Sequence, residues 1–273
     1  AATTSKVSAT FDSNSNKVVI AYQDEGNSNY GTAVIGTVSG TTISYGTPVV
    51  FDAGTTSYMG ITFDSSSNKA VIAYTDGSNI KAIVGTVSGT SISFGTAVQF
   101  NTGATNNPIS LSFDSTANKV VISYNNQGNS DYGTSIVGTV SGTSISFGTA
   151  AVFISFSVNY LAITFDSTNN KIVVFYNHVT SGNEGWSNVG TVSGTSISFG
   201  SNVEFHGGYT GPKAATFDTT SSKVVICYAD WAISAIPNAR VGTVSGTSIS
   251  YGAEVVIDAS TLADFIGVVY DSS

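Results

Sequence analysis

The sequence predicts an all-β repeat protein, a five-bladed β-propeller of four-stranded antiparallel blades. Two motifs recur in step along the chain, and no segment has helical periodicity. The first motif, GTVSG, begins at Gly36, Gly85, Gly138, Gly190 and Gly242. The second is Phe-Asp followed five residues later by Lys; its aspartates are Asp12, Asp64, Asp114, Asp166 and Asp218, spaced 50 to 52 residues apart. Four short strands repeated about every 50 residues are typical of propeller blades.

Each repeat divides into four strands, A to D. Strand A is the run before the aspartate (residues 7–11), and strand B is a β-branched run (residues 17–22). Strand C ends in GTVSG, and strand D is the run that follows (residues 42–51). Asp-Ser-x-x-Asn at the A–B junction predicts an Asx turn, and Ser-Gly-Thr at the C–D junction predicts a tight hairpin with a positive glycine φ. A glycine ten residues after the start of each GTVSG predicts a bulge in strand D.

We expect a single domain over residues 1–273. The predicted repeats are 1–52, 53–103, 104–154, 155–206 and 207–259, followed by an extra strand over 260–273. Small residues in each strand A are expected where strands crowd around a central axis: Ser8, Gly60, Ser110, Ala162 and Ala214. Because both ends of the chain look like strand A, a six-bladed propeller or a fragment of a longer blade array is the alternative.

Two stretches and the blade pattern resemble known proteins. FDSTNNKIVV (residues 165–174) resembles the blade repeats of YVTN-type propellers, and five short blades resemble the tachylectin family of sugar-binding propellers. GTVSGTSISFGT (residues 85–96) resembles repeats in large marine bacterial and phage surface or tail-fibre proteins. The resemblance covers nearly the whole chain and implies architecture. The ligand motifs of tachylectin are not recognisable, so no site residue is carried over from that family.

Composition excludes several classes of function. The net charge is −8 with nine basic residues, which argues against nucleic-acid binding. No run has transmembrane length, so membrane insertion is not expected. Charged residues make up 10% of the chain, and a coat of Ser, Thr, Asn and Gly is typical of proteins outside the cell, on a cell surface or on a virion. The single cysteine, Cys227, excludes an intrachain disulfide and is predicted to be a small core residue.

Sequence variation is confined to the B–C and D–A segments, which emerge on one face of a propeller. Both tryptophans, both histidines, the only arginine and the only methionine fall in these segments. The opposite face, made of the uniform A–B and C–D turns, is expected to be scaffold. The varied face is therefore the predicted site of function.

The residue types on that face predict carbohydrate binding. A sugar ring offers an apolar face surrounded by hydroxyls, so it is bound by an aromatic platform beside amides and carboxylates. The predicted platforms are Trp186, Trp231, Tyr30 and Tyr132. Their predicted hydrogen-bonding partners are Asp24, Asp131, Glu184 and Asp230. The predicted function is a non-enzymatic, lectin- or adhesin-like module that binds a glycan or a cell-surface polymer.

Two other functions compete with this prediction. A glycan hydrolase would need paired carboxylates, or an arginine cluster in a sialidase-like site, and neither motif is present, since Arg240 is alone. A structural or assembly module of a virion fibre, filament or cell surface is the stronger competitor, with other copies of itself or a parent fibre as partners. No metal or cofactor is predicted, because each repeated aspartate turn holds one carboxylate and calcium needs more oxygen ligands.

Overall fold

Each repeat forms an antiparallel sheet with strand order A-B-C-D in the computed structural model, which describes residues 4–260 and 262–271. We call these repeats units 1 to 5. Unit 1 comprises β1 (Thr4–Asp12), β2 (Lys17–Asp24), β3 (Tyr30–Ser39), β4 (Thr42–Tyr45) and β5 (Val49–Thr55). Unit 2 comprises β6 (Ser57–Asp64), β7 (Lys69–Thr75), β8 (Asn79–Ser88), β9 (Ser91–Phe94) and β10 (Val98–Thr102).

Units 3 and 4 share one long strand, β15 (Ala151–Asp166), which crosses the boundary expected at residue 154. Unit 3 comprises β11 (Ser110–Asp114), β12 (Lys119–Asn126), β13 (Tyr132–Ser141), β14 (Ser144–Phe147) and the first part of β15. Unit 4 comprises the second part of β15, β16 (Lys171–His178), β17 (Glu184–Ser193), β18 (Ser196–Phe199) and β19 (Val203–His206). Unit 5 comprises β20 (Thr210–Asp218), β21 (Lys223–Asp230), β22 (Ile236–Ser245), β23 (Ser248–Tyr251) and β24 (Val255–Val256).

The only helical segments among the described residues are four 3₁₀ turns in B–C loops. They span Glu25–Asn27, Gln127–Asn129, Val179–Ser181 and Trp231–Ile233. No helix in this part of the chain approaches the length needed to cross a membrane. The fold class predicted from the sequence, all-β with antiparallel sheets, is confirmed.

The repeated aspartates form the predicted Asx turns. In all five A–B junctions the aspartate Oδ1 accepts hydrogen bonds from the backbone N–H groups of the second and third residues after it, at 2.8–3.1 Å. The residue before the lysine then adopts a left-handed φ of 53–55°. The C–D hairpins also match the prediction, since their glycines have φ between 57° and 62°. Local turn chemistry therefore accounts for the uniform face.

The glycine in strand D is required by the neighbouring unit. It opens a three-residue break, so that strand C pairs with both halves of strand D. A Cβ added to Gly46, Gly95, Gly148 or Gly200 would lie 1.8–1.9 Å from a threonine backbone oxygen in the next unit's C–D hairpin. The equivalent Gly252 has only the Val241 oxygen, at 3.8 Å, near that position. The sequence predicted a bulge at this glycine; the structure shows a break in the strand instead and adds its reason, which is the close approach of two units.

The hydrophobic cores lie between units. Four clusters are present, one at each interface from units 1 and 2 to units 4 and 5. At the first interface the Phe51 ring of unit 1 lies 5.2 Å from Tyr74 and 5.6 Å from Phe94 of unit 2. The next three interfaces repeat this aromatic trio: Phe100 with Tyr124 and Phe147, Phe153 with Tyr176 and Phe199, and Phe205 with Tyr228 and Tyr251. Cys227 is buried as predicted, and burial raises the pKa of its thiol.

The first strands of the units pack side by side. β1 contacts β6, β6 contacts β11, β11 contacts β15 and β15 contacts β20. The predicted crowding is evident at Gly60, where a Cβ would lie 2.4 Å from the Ile109 backbone oxygen. β20 and β1 make no packing of this kind in the described chain, and the sheets do not close into a ring.

Residues 262–271, where the sequence predicts an extra strand, carry no ladder pairing. A strand needs a hydrogen-bonded neighbour, and no strand B follows this segment in the described chain. The segment nevertheless lies at a defined place. Ala263 N–H donates to the Ala235 oxygen (2.9 Å), and the Tyr270 hydroxyl contacts the Thr220 hydroxyl in the A–B turn of unit 5.

Candidate functional site

Strand A carries a bulge near its start in units 1, 2, 4 and 5. The A–B register shifts between Ser5 and Ser8, Ser57 and Gly60, Asn159 and Ala162, and Thr210 and Lys213. Within the bulges Lys6, Tyr58 and Tyr160 have φ of 51°, 46° and 49°, a conformation rare outside glycine. Bulges re-aim side chains, and strained φ values of this kind occur most often at functional sites.

Six equivalent residues meet at one opening, four of them on the bulged strands. Each lies six positions before a repeated aspartate: Lys6, Tyr58, Pro108, Tyr160, Pro212 and Phe265. These six, with Asn106, Asn107 and Asn159, line an open cleft of about 340 Å³ that we call the axial cleft. The Lys6 ammonium lies 4.9 Å from the centre of the Tyr58 ring. Aromatic rings, amides and a cation therefore share one opening.

A second cleft lies beside Trp231, one of the predicted platforms. The Trp231 ring lies edge-on to Tyr160 at 5.6 Å and to Tyr209 at 5.1 Å. Its indole N–H is buried and has no hydrogen-bond partner among the described residues. The opening, about 380 Å³, is the Trp231 cleft; it is lined by Tyr209, Trp231, Ser234, Ala235, Leu262 and Asp264. Tyr160 joins the two clefts, since it lines the axial cleft and contacts Trp231.

Asp230, the predicted partner of Trp231, is buried and joins a hydrogen-bonded network with His206 and the exposed Glu254. Its carboxylate accepts from the Ala232 N–H (3.0 Å) and lies 3.3 Å from Nε2 of His206. Nδ1 of His206 lies 2.8 Å from Glu254, which also accepts from the Tyr228 hydroxyl. Burial alone would raise the pKa of Glu254, but the hydrogen bonds from Tyr228 and His206 outweigh it and hold that pKa below its usual range.

The same network is a candidate cation site. His206, Asp230 and Glu254 each offer one ligand atom, all within 4.8 Å of one another. The two ring nitrogens of His206 already face one carboxylate each, so an ion would have to displace one of these contacts. The arrangement suits a hydrogen-bonded bridge between strands better than a metal centre.

Lys213 is buried beneath the junction of the two clefts. The equivalent residues in the other units are Val7, Met59, Ile109 and Leu161, so a lysine replaces an apolar residue. Its ammonium donates to the Asn177 side-chain oxygen and the Gly211 oxygen and lies 5.6 Å from the Tyr160 ring centre. Burial holds the pKa of Lys213 well below its usual range. Lys213 thus contacts Asn177, the strand partner of Asn159, and lies near the ring of Tyr160.

Trp186 and Glu184 form a separate pair on unit 4. The Trp186 indole N–H donates to Glu184 at 3.1 Å, so the predicted platform and its carboxylate are adjacent. The His178 ring lies 6.0 Å from Trp186 and 4.5 Å from Phe156, whose side chain is largely exposed. This is a second aromatic cluster, on β15, β16 and β17, without contact to Trp231 in the described contacts.

The two predicted tyrosines occupy equivalent positions in units 1 and 3. Tyr30 begins β3 and Tyr132 begins β13, and both are partly exposed. Asp24 pairs with Tyr30 in the strand register. Asp131 precedes Tyr132 with a φ of 61°, and its Oδ1 atom is buried without a partner among the described residues. The eight predicted residues therefore lie as pairs in four units, and of these Trp231 lines one of the two clefts.

Sequence reasoning missed five residues of the clefts and their support: Lys6, Tyr58, Tyr160, Tyr209 and Lys213. The constant offset of six residues before the aspartate was available as a signal for the first three. The bulge that turns those side chains to the axis is not visible in the residue pattern. Lys213 had a clearer signal, a charge at a position that is apolar in the other units.

The sequence matches no known family pattern, and no curated protein matches it. Solved structures do match. The Aleuria aurantia lectin in complex with α-methyl-L-fucoside is 15% identical, with a TM-score of 0.55 over 96% of this chain and 80% of that one. The SapL1 lectin in complex with α-methyl fucoside is 14% identical, with a TM-score of 0.57 over 93% and 80%. An intramolecular trans-sialidase from Ruminococcus gnavus is 11% identical, with a TM-score of 0.50 over 74% of this chain and 46% of that one.

At these identities the likeness shows the fold alone. The lectins among these neighbours are β-propellers, so the chain shares the architecture of propeller lectins. Which residues bind a ligand in this chain must be argued from its own clefts.

Proposed function

We propose that this protein is a non-enzymatic glycan-recognition module, a propeller of five complete units that binds carbohydrate through its B–C and D–A loops. Its partner is a glycan or surface polymer met outside the cell, on a cell surface or on a virion. The observation that carries this proposal is the Trp231 cleft, where the rings of Trp231 and Tyr209 border an open space beside a hydroxyl and a carboxylate.

The Trp231 cleft has the chemistry that a sugar ring requires. The apolar C–H face of a pyranose packs on an aromatic ring, while its hydroxyls need donors and acceptors at the rim. Trp231 and Tyr209 supply the rings, and Ser234 and Asp264 supply a hydroxyl and a carboxylate. The axial cleft offers similar chemistry, because Tyr58 and Tyr160 lie beside three asparagine amides.

The other predicted residues are proposed as further subsites. Trp186 with Glu184, Tyr30 with Asp24, and Tyr132 with Asp131 each place an aromatic ring beside a carboxylate on a B–C loop. Asp230 is proposed to position the Trp231 loop, because its carboxylate holds the first turn of that loop. Several weak subsites on one face raise avidity for a polymeric glycan without high affinity at any one of them.

A glycan-cleaving role has less support. Sites for acidic sugars use several arginines to hold the substrate carboxylate. Here the one arginine, Arg240, donates to the backbone oxygens of Phe205 and Gly252 and stacks on Tyr251 at 5.9 Å. That placement favours a structural role for its charge.

The test is a glycan array, with α-methyl fucoside included because two of the structural neighbours bind it. The variants are Trp231→Ala and Tyr209→Ala, and the control is Tyr45→Ala, an exposed tyrosine outside both clefts. Loss of a stacking ring is expected to weaken binding about tenfold or more, since such contacts contribute roughly 0.5–1.5 kcal/mol beyond buried area. Binding that falls equally in the Tyr45 variant, or in none of the three, would contradict the proposed site. A blank array from folded protein would contradict the function.

A further inference from the structure

Unit 1 exposes residues that are core residues in every other unit. Ile43 is 42% exposed, whereas its four equivalents are 3–6% exposed: Ile92, Ile145, Ile197 and Ile249. Those four are buried because each contacts the preceding unit. Unit 1 has no preceding unit in the described chain, so the same surface is open.

Unit 5 exposes the complementary surface. Val241 is 47% exposed, whereas its equivalents Ile35, Val84, Val137 and Val189 are at most 1% exposed. Ile257 is 57% exposed and corresponds to the phenylalanine that begins each aromatic trio, such as the fully buried Phe205. Gly252, whose counterparts meet a neighbouring hairpin, faces no such hairpin among the described residues.

A groove on unit 1 matches the shape of the missing contact. It has a volume of about 470 Å³ and includes Ile20, Tyr22, Val34 and Tyr45. Tyr22 and Tyr45 are the counterparts of Tyr74 and Phe94, the two rings that hold Phe51 at the first interface. The groove is therefore the place where a phenylalanine from another unit would lie.

The segment equivalent to the first strand of a sixth unit lies beside unit 5 without being paired as a strand. Thr220, in the A–B turn of unit 5, contacts the Tyr270 hydroxyl, and its equivalents Thr116 and Thr168 contact the next A–B turn at Asn170 (2.6 Å) and Ser222 (3.0 Å). Residues 266–271 alternate between half-buried and exposed, as a strand does with one face packed. At the other end Phe265, which is 94% exposed, is the sixth of the equivalent residues at the rim of the axial cleft. The segment occupies the strand A position beside β20.

We propose that the gap between unit 5 and unit 1 is a docking site for a three-stranded β unit with the pattern of strands B, C and D of this repeat. Its strand B pairs with residues 266–271, and its C–D hairpin packs on Gly252 and Val241. Its strand D places a phenylalanine in the groove at Tyr22 and Tyr45. Both flanks continue the four interfaces already formed, which is why the occupant has the chemistry of this repeat. A whole unit 1 from a second copy does not fit, because its β1 would collide with residues 266–271.

The test joins residues 169–206 of this chain, strands B to D of unit 4, directly after Ser273. This keeps the register, because Asp271 corresponds to Asp166 and Ser273 to Thr168. Single cysteines are placed by Ile43→Cys and Val241→Cys in separate proteins, and their alkylation rates are compared with and without the added segment. Val152→Cys, an exposed strand D position outside the gap, is the control. Cys227 is buried and contributes little background.

Docking is expected to slow alkylation at positions 43 and 241 at least about tenfold, to leave position 152 unchanged and to raise the melting temperature by several degrees. The same segment with Phe205→Asp in the added copy is expected to lose most of the protection. Unchanged alkylation in a folded, extended protein would overturn the proposal. Slow alkylation at positions 43 and 241 in the chain without the added segment, together with the mass of a dimer, would also overturn the proposal and would assign the surface to a second copy.

Discussion

The strand D glycines provide the sharpest test of how the units fit together. Gly95 and Gly252 occupy equivalent positions, and neither has a left-handed φ that would demand glycine. A Cβ on Gly95 would lie 1.9 Å from the Thr143 backbone oxygen and 2.9 Å from its carbonyl carbon. A Cβ on Gly252 would meet no described atom closer than 3.8 Å. The substitutions Gly95→Ala and Gly252→Ala therefore make the same chemical change with and without a neighbouring unit.

The expected changes in the free energy of unfolding of Gly95→Ala and Gly252→Ala differ in sign as well as in size. Carbon–oxygen contacts are comfortable at roughly 3.3 Å, so Gly95→Ala must separate two pieces of backbone by about 1.4 Å. Overpacking of this kind costs about 1–3 kcal/mol, and more where the obstacle is backbone. Gly252→Ala meets no obstacle, and alanine restricts the unfolded chain, so the expected effect lies between zero and a gain of about 1 kcal/mol.

Urea denaturation followed by tryptophan fluorescence and circular dichroism measures both effects. The change in free energy of unfolding is taken from the midpoints, after checking that the slope with urea is the same in all three proteins. If the glycine serves the interface, Gly95→Ala is destabilised and Gly252→Ala is not. Equal destabilisation of both variants would show that the turn itself requires glycine, and the interface explanation would be wrong.

Two further predictions concern burial. Phe205→Ala removes a fully buried ring between units and is expected to lower the free energy of unfolding by about 3–5 kcal/mol. Ile257→Ala, at the equivalent but exposed position, is expected to lower it by less than about 1 kcal/mol. Equal midpoints of the two variants in urea would contradict this. Lys213→Met restores the apolar residue of the other units and is expected to stabilise the protein by about 1–4 kcal/mol at neutral pH. Burial lowers the pKa of Lys213 in the folded state, so between the folded pKa and 10.5 the unfolded state binds one more proton than the folded state. The gain in stability from Lys213→Met is therefore full below the folded pKa and shrinks as the pH rises towards 10.5. A gain that does not change between pH 7 and 10 would rule out charge burial as its cause.

The repeat made most of the fold predictable from the sequence. The Asx turn at Asp12 and the hairpin at Gly40 follow from residue types a few positions apart, and both formed as expected. An interruption of strand D at Gly46 was also predicted, as a bulge, but its cause was not. The carbonyl that excludes a side chain there belongs to Thr90, in another unit, and no local pattern reveals such a contact.

The candidate site was harder to predict because it depends on where strands are irregular. Trp231 was singled out as a rare residue on a variable loop, and it does line a cleft. Tyr160 was not singled out, since its orientation comes from a bulge that leaves the residue types on either side unchanged. Glu184 and Trp186 are adjacent because they are two positions apart on one strand, where side chains share a face. No comparable rule predicts which residues of neighbouring loops come into contact.

The location of the cores between units also constrains how the chain folds as it is synthesised. A sheet with one apolar face uncovered is not stable alone, and the core between units 1 and 2 forms only when unit 2 has been made. Each later unit then adds one interface to a structure that already exists, and folding proceeds in the direction of translation. The residues of each unit that pack against the next unit stay exposed while the ribosome makes about fifty more residues.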